Sequence, residues 1–138
     1  MIYLLAKSAH IFLVLLWVGS SIWLAFLLRQ VTQLPNQLGH KVAQKMGPMI
    51  TLNSVVMVGT WCIGIVLLVL GQWIQSTWMV AKLALVVVLS GLHGALAGQW
   101  RRLRSSPEVL PTKASLAVIL FAQIFLVAIV VFLVVVKP

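Results

Sequence analysis

Four long apolar segments occupy most of this 138-residue chain and set the strongest limit on its fold. They cover residues 2–28, 49–70, 74–98 and 113–136, and each could cross the ~30 Å hydrocarbon core of a bilayer as an α-helix. Hydrophobic residues make up 62% of the sequence and charged residues only 8%, which excludes an ordinary soluble domain. The sequence therefore predicts an all-α membrane protein, a single domain (residues 1–138) built as an up-down bundle of four transmembrane helices.

The first apolar segment resembles a secretory signal peptide only in its position at the start of the chain. It is longer than the apolar core of a signal peptide, and it contains His10 and Trp17. It ends at Arg29 without the small-residue pattern of a cleavage site. We therefore expect this segment to be retained as the first helix.

Basic residues concentrate at one end of the predicted bundle. In a soluble protein the net charge of +9 would indicate nucleic-acid binding, but here most basic residues flank apolar segments, so we expect no nucleic-acid partner. The first and third connections hold most of them: Arg29, Lys41, Lys45, Arg101, Arg102, Arg104 and Lys113. By the positive-inside rule this end faces the cytoplasm. Both termini then face outside, which is the periplasm for a multi-pass protein of a bacterial inner membrane.

The first connection, residues 29–47, contains the helix breakers Pro35 and Gly39. These residues predict a loop with a short surface helix through His40 and Lys45. The imidazole of His40 is expected to be solvated in this polar, basic segment.

Three ionisable residues lie inside segments that should be wholly apolar, where a charged or polar group costs several kcal/mol unless a partner compensates. His10 and Lys82 each lie about eight residues from the outer end of their helices, so both are ~12 Å deep and level with each other. His93 lies on the same face of its helix as Lys82 but ~16 Å nearer the cytoplasm. The sequence thus predicts an outer layer around His10 and Lys82, and an inner layer around His93.

The inner layer has further polar members, because Asn53 on the second helix and the pair Ser20 and Ser21 on the first helix lie level with His93. Two interpretations of His93 remain open. It is either a core histidine that hydrogen-bonds Asn53 or a serine, or a functional residue that relays protons or binds a ligand. Thr60 is expected nearer mid-membrane on the second helix.

The outer layer suggests a cofactor. Two nitrogen bases on facing helices at one depth, near Trp17 and surrounded by aliphatic residues, suit axial ligation of a haem b held between helices. The simpler alternative is a buried His10 with Lys82 extending its ammonium outward to the headgroups. A second alternative is copper, passed between His10, His93 and nearby methionines. With Glu108 the single acidic residue, catalysis by carboxylates is not expected and would have to belong to a cofactor.

Several segments resemble a known family when taken in order. They are residues 3–10 (YLLAKSAH) continuing to Trp17, residues 78–83 (WMVAKL) followed by His93, and the ending VVVKP at 134–138. Together they are similar to the bacterial membrane protoporphyrinogen IX oxidases of the HemJ type, within a wider group that includes the membrane domain of the copper-resistance protein CopD.

The resemblance implies a haem b protein of the inner membrane, a homo-oligomer that oxidises protoporphyrinogen IX to protoporphyrin IX. It implies His10 and Lys82 as the axial haem ligands, because they match the positions associated with ligation in that family. His93 matches a further family histidine, and we expect it to act as the catalytic proton relay. Trp17 is expected to pack on the porphyrin.

Overall fold

Four α-helices account for nearly all of the structure, a computed structural model that describes residues 1–106 and 113–136. They are α1 (Ile2–Val31), α2 (Asn36–Leu70), α3 (Thr77–Ser105) and α4 (Lys113–Val136), with a short 3-10 helix, Trp73–Gln75, between α2 and α3. Within these described ranges there is no strand, and each α-helix is long and apolar enough to cross a membrane. The predicted all-α class with four membrane-length helices is therefore confirmed.

The helices pack as a ring in which neighbours in sequence are neighbours in space. α1 packs most extensively on α2, α2 packs on α3, and α4 contacts both α3 and α1, while α1 and α3 face each other across the bundle with few contacts. His10 of α1 lies against Gly64 of α2, and Ser20 bonds Asn53, so α1 and α2 run in opposite directions. This arrangement places His10 of α1 and Lys82 of α3 on diagonal helices.

Helix α2 begins thirteen residues earlier than the sequence predicted, at Asn36 rather than residue 49. The short surface helix predicted through His40 and Lys45 is therefore part of α2, and the loop predicted around it is wrong for residues 36–47. Pro35 precedes the helix, and its carbonyl accepts hydrogen bonds from the first turn at 2.9 Å, so this proline starts a helix rather than preventing one. Gly39 allows close packing, because a Cβ there would lie 3.4 Å from the carbonyl oxygen of Val31. The helix then continues through Pro48.

The densest packing lies at the end of the bundle formed by the α1–α2 connection and the C-terminus of α3. The core cluster consists of Leu24, Ala25, Leu28, Val31, Ala43, Ile50, Leu96, Ala97, Trp100, Leu103 and Leu116. At the opposite end packing is looser, since α1 has no buried residue before Trp17. We refer to these as the tight half and the loose half of the bundle. His10 and Lys82 lie in the loose half, and both side chains are partly buried.

Candidate functional site

His93 of α3 lies at the centre of a buried polar cluster and is only 4% exposed. Its Nδ1 is 3.3 Å from Oγ of Ser21 on α1, and its Nε2 is 3.1 Å from Oγ of Ser54 on α2. The indole of Trp17 packs on the imidazole in an edge-on arrangement, with ring centroids 6.4 Å apart. One imidazole therefore joins three helices.

Asn53 of α2 extends this cluster and is 2% exposed. Its amide Nδ2 donates to Ser21 Oγ at 3.0 Å, and its Oδ1 lies 3.0 Å from Ser20 Oγ, whose one hydrogen is shared with the carbonyls of Leu16 and Trp17. Polar groups inside a membrane require such partners, because the hydrocarbon offers none. The predicted inner layer of His93, Asn53 and the serine pair is confirmed, and both serines of the pair belong to it.

One tautomer of a neutral His93 satisfies all the neighbouring hydroxyl groups. The hydroxyl of Ser21 has no acceptor other than His93 Nδ1 among the described residues, so in this tautomer Nδ1 accepts its hydrogen. Nε2–H then donates to Oγ of Ser54, whose own hydrogen goes to the carbonyl of Ile50 at 3.0 Å. Both ring nitrogens are satisfied by serines. This geometry suits proton exchange between an imidazole and a hydroxyl, whereas neither nitrogen presents a free lone pair to a metal.

His10 and Lys82 lie in the same half of the bundle on diagonal helices, and both side chains are partly buried. The imidazole of His10 interacts electrostatically with Lys82 and hydrogen-bonds the backbone of Thr60 on α2. Nδ1 of His10 is shielded from solvent and has no hydrogen-bond partner among the described residues. A shielded imidazole nitrogen without a partner calls for an explanation, and a bound metal is one of them.

Gly64 of α2 sets the position of the His10 ring. A Cβ added to Gly64 would lie 3.0 Å from Cε1 and 3.6 Å from Nδ1 of His10, which is tighter than ordinary van der Waals contact. The absence of a side chain therefore lets the imidazole lie against the backbone of α2. The backbone at Gly64 therefore packs against the imidazole of His10.

Replacing Gly64 with valine is expected to push the His10 ring out of this position and to weaken the α1–α2 contact. Overpacking of this kind costs about 1–3 kcal/mol in free energy of unfolding. Gly19→Val is the matched control, because a Cβ on Gly19 meets nothing within 4 Å, and its effect should stay within about 0.5 kcal/mol. Unfolding by SDS titration, followed by circular dichroism, measures both. Equal stability of the two variants would contradict the proposed contact.

Trp17 points into the bundle as predicted and is 3% exposed. The structure groups it with His93 rather than with the His10–Lys82 pair, since its ring contacts the imidazole of His93. Its role beside a porphyrin stays a prediction. The indole Nε1 is buried without a hydrogen-bond partner in the described part of the chain.

His40 is not the solvated loop residue that the sequence suggested. It lies in the first turns of α2, where its Nδ1 is 3.2 Å from the carbonyl oxygen of Leu103 and its Nε2 is 3.0 Å from Nε2 of Gln44. Leu103 belongs to the last turn of α3, whose carbonyls lack partners within the helix. Nδ1–H of His40 donates to that carbonyl, so His40 caps α3. Its role was missed because the N-terminal extension of α2 was missed.

Ser54 is a member of the His93 cluster that the sequence did not single out. It directly follows Asn53, and its hydroxyl also bonds the carbonyl four residues earlier, as serines in helices commonly do. A search for every polar residue at the depth of His93 would have found Ser54. In residues 1–106 and 113–136, no group of three or more His, Cys, Asp or Glu side chains is placed to hold a metal ion.

Comparisons with known proteins identify no relative of this chain. No protein family, no curated protein and no solved structure matches the chain.

Proposed function

We propose that this chain is a haem b-binding protein of the bacterial inner membrane, in which His10 and Lys82 supply the axial nitrogen ligands. The observation that carries the proposal is the shielded Nδ1 of His10, which has no hydrogen-bond partner among the described residues. A haem would take two such nitrogen donors. Lys82 would have to serve as its neutral amine, because an ammonium has no lone pair, and an apolar setting favours the neutral form.

The two halves of the bundle differ in how much of their surface is buried. His10 and Lys82 are on diagonal helices of the loose half, where the buried residues are Thr60, Leu67 and Met79. The tight half, by contrast, is closed by large residues such as Trp100 and Leu103.

We propose an oxidoreductase activity related to that of protoporphyrinogen IX oxidase, as the resemblance in sequence implies. When bound, a haem would supply one-electron redox chemistry that the side chains of this chain lack. His10 and Lys82 would hold and orient it. His93, whose imidazole exchanges a hydrogen bond with a serine hydroxyl at each ring nitrogen, is the residue we propose for holding or passing a proton.

An absorption spectrum of the purified protein tests this proposal. Protein extracted in mild detergent should show a Soret band, and reduction with dithionite should sharpen its visible bands, as for haem with two nitrogen ligands. Apoprotein should gain the same spectrum on addition of haemin. A colourless protein that takes up no haemin would overturn the proposal, and so would stoichiometric copper without haem in elemental analysis.

We further propose that the tight half faces the cytoplasm and both termini face the periplasm, because the basic residues of the first and third connections lie at the tight end. Single cysteines at two exposed positions test this orientation: Gln75→Cys in the α2–α3 connection and Ser106→Cys after α3. Both belong in a Cys62→Ala background, since Cys62 is an exposed free thiol.

In intact spheroplasts a membrane-impermeant maleimide is expected to label the cysteine at position 75 and to leave the one at position 106 unlabelled. Both should react after the membrane is disrupted. The reverse pattern would show that the orientation is inverted.

A further inference from the structure

The hydrogen-bonding groups around His93 form a single row across the bundle, which we call the polar row. In order along it lie Ser20 of α1, Asn53 of α2, Ser21 of α1, His93 of α3 and Ser54 of α2. A backbone carbonyl lies beyond each end, that of Leu16 next to Ser20 and that of Ile50 next to Ser54. The direction in which each hydrogen points along the row therefore depends on its neighbours.

The amide of Asn53 decides the direction of the hydrogen at Ser21. Its Nδ2 donates to Ser21 Oγ at 3.0 Å, so the hydroxyl hydrogen of Ser21 goes to Nδ1 of His93. If Nδ1 carried a hydrogen instead, Ser21 would lie between two donors. Its own hydrogen would then have no acceptor among the described residues, which is unfavourable for a buried hydroxyl. This orientation of the amide therefore holds the ring hydrogen on Nε2.

The reversed amide would allow the opposite arrangement. The oxygen and NH2 ends of an asparagine amide have nearly the same shape, so a half turn fits the same space. Oδ1 would then accept the hydrogen of Ser21, which leaves Ser21 Oγ able to accept from Nδ1–H of His93. Nδ2 would face Ser20, whose own hydrogen stays on the carbonyls of Leu16 and Trp17. No hydroxyl hydrogen is then left without an acceptor.

We propose that Asn53 is a positioning residue for His93. One orientation of its amide holds the ring hydrogen on Nε2, and the reversed orientation admits it on Nδ1. The inference rests on the role proposed above for His93 in holding or passing a proton. A histidine that takes up a proton at one nitrogen and releases the one on its other nitrogen ends as the opposite tautomer, so its neighbours must fit both tautomers. A turning amide meets this requirement while staying uncharged.

The tautomer of His93 tests the proposal by NMR on full-length protein in detergent, labelled with ¹⁵N at histidine, at a pH where the imidazole is neutral. The shift of each ring nitrogen shows whether it carries a hydrogen. The signals of His93, one of three histidines, are assigned from their loss in His93→Gln. Ser54→Ala removes the acceptor of Nε2–H, so the amide should reverse and the hydrogen should move from Nε2 to Nδ1. A hydrogen that stays on Nε2 in Ser54→Ala would overturn the proposal.

Further variants show whether the amide transmits the effect. Ser54→Thr keeps a hydroxyl at Nε2 and should keep the hydrogen there. Ser20 bonds Asn53 but makes no hydrogen bond to His93 among the described residues. When Ser20→Ala is added to Ser54→Ala, the reversed amide loses its acceptor, so part of the population should return to Nε2–H. Ser8→Ala is the matched control, because Ser8 also donates to a carbonyl of α1 but lies outside the row. If Ser20→Ala changes the tautomer no more than Ser8→Ala does, the proposal is overturned.

This measurement needs no haem, so it separates the inference from the function proposed above. Movement of the hydrogen in a protein that takes up no haemin would support the role of Asn53, although the haem proposal would be overturned. A haem-loaded protein without that movement would overturn the role of Asn53 alone. Alanine favours a helix, and each change removes a single hydroxyl, so the alanine variants should fold. Should Ser54→Ala not fold, Ser54→Cys gives the same test, since a thiol is a weak acceptor.

Discussion

In His10→Ala, the Soret band of the purified protein is expected to fall by at least about tenfold in intensity per mole of protein. Removing even a residue that only supports a metal ligand costs 10- to 100-fold in affinity, so removing the ligand itself should cost no less. The loss should be specific to cofactor binding, because His10 is only partly buried and its Nδ1 has no hydrogen-bond partner among the described residues. Haemin titration of apoprotein, followed by absorbance, gives the affinity directly.

Controls for this prediction use the other ligand and another histidine. Lys82→Ala should retain part of the haem but shift the absorption bands, since an open axial position changes the spin state of the iron. His40→Ala removes an imidazole from the tight half, where it caps α3, and should leave the spectrum unchanged. An unaltered Soret band in His10→Ala would exclude His10 as a ligand.

His93→Ala is expected to have the largest effect on stability, lowering the free energy of unfolding by about 2–4 kcal/mol. The substitution leaves a cavity at a site that is 4% exposed, and it removes the hydrogen-bond partner of Ser21 and Ser54. Hydrogen bonds between membrane helices contribute only about 0.6 kcal/mol each on average, so the cavity should account for most of the loss. SDS-induced unfolding measures the difference.

Val87→Ala is the matched control for His93→Ala. It lies on α3 six residues earlier, and its side chain is 57% exposed. Its effect should remain within about 0.5 kcal/mol, as is usual for exposed positions. If both variants unfold at the same SDS concentration, the cluster around His93 does not hold the helices together.

The inner polar layer was predictable from the sequence because helix rise and membrane thickness are both fixed. These two quantities place any residue of a spanning helix at a known depth, which is why His93, Asn53 and Ser21 could be assigned to one layer. Depth does not specify which face of a helix meets which neighbour. The contact between Trp17 and His93, rather than His10, depends on how α1 crosses α3, and this is set by packing along the whole bundle.

The extension of α2 could not be predicted from local signals. Pro35 and Gly39 disfavour a helix in isolation, but the energy of packing Gly39 against Val31 and burying Ala43 in the core outweighs a cost of about 1 kcal/mol for a helical glycine. Tertiary contacts thus decided the conformation of this segment. The capping role of His40 depends on the same contacts, so it could not be predicted from local signals either.

The unequal packing of the bundle has a mechanical consequence. Leu28 and Leu103, both 0% exposed, anchor the tight half. Local opening of a helix costs less free energy where few buried side chains hold it. The first turns of α1, which have no buried residue before Trp17, are therefore expected to exchange their amide protons faster than the turns around Leu28.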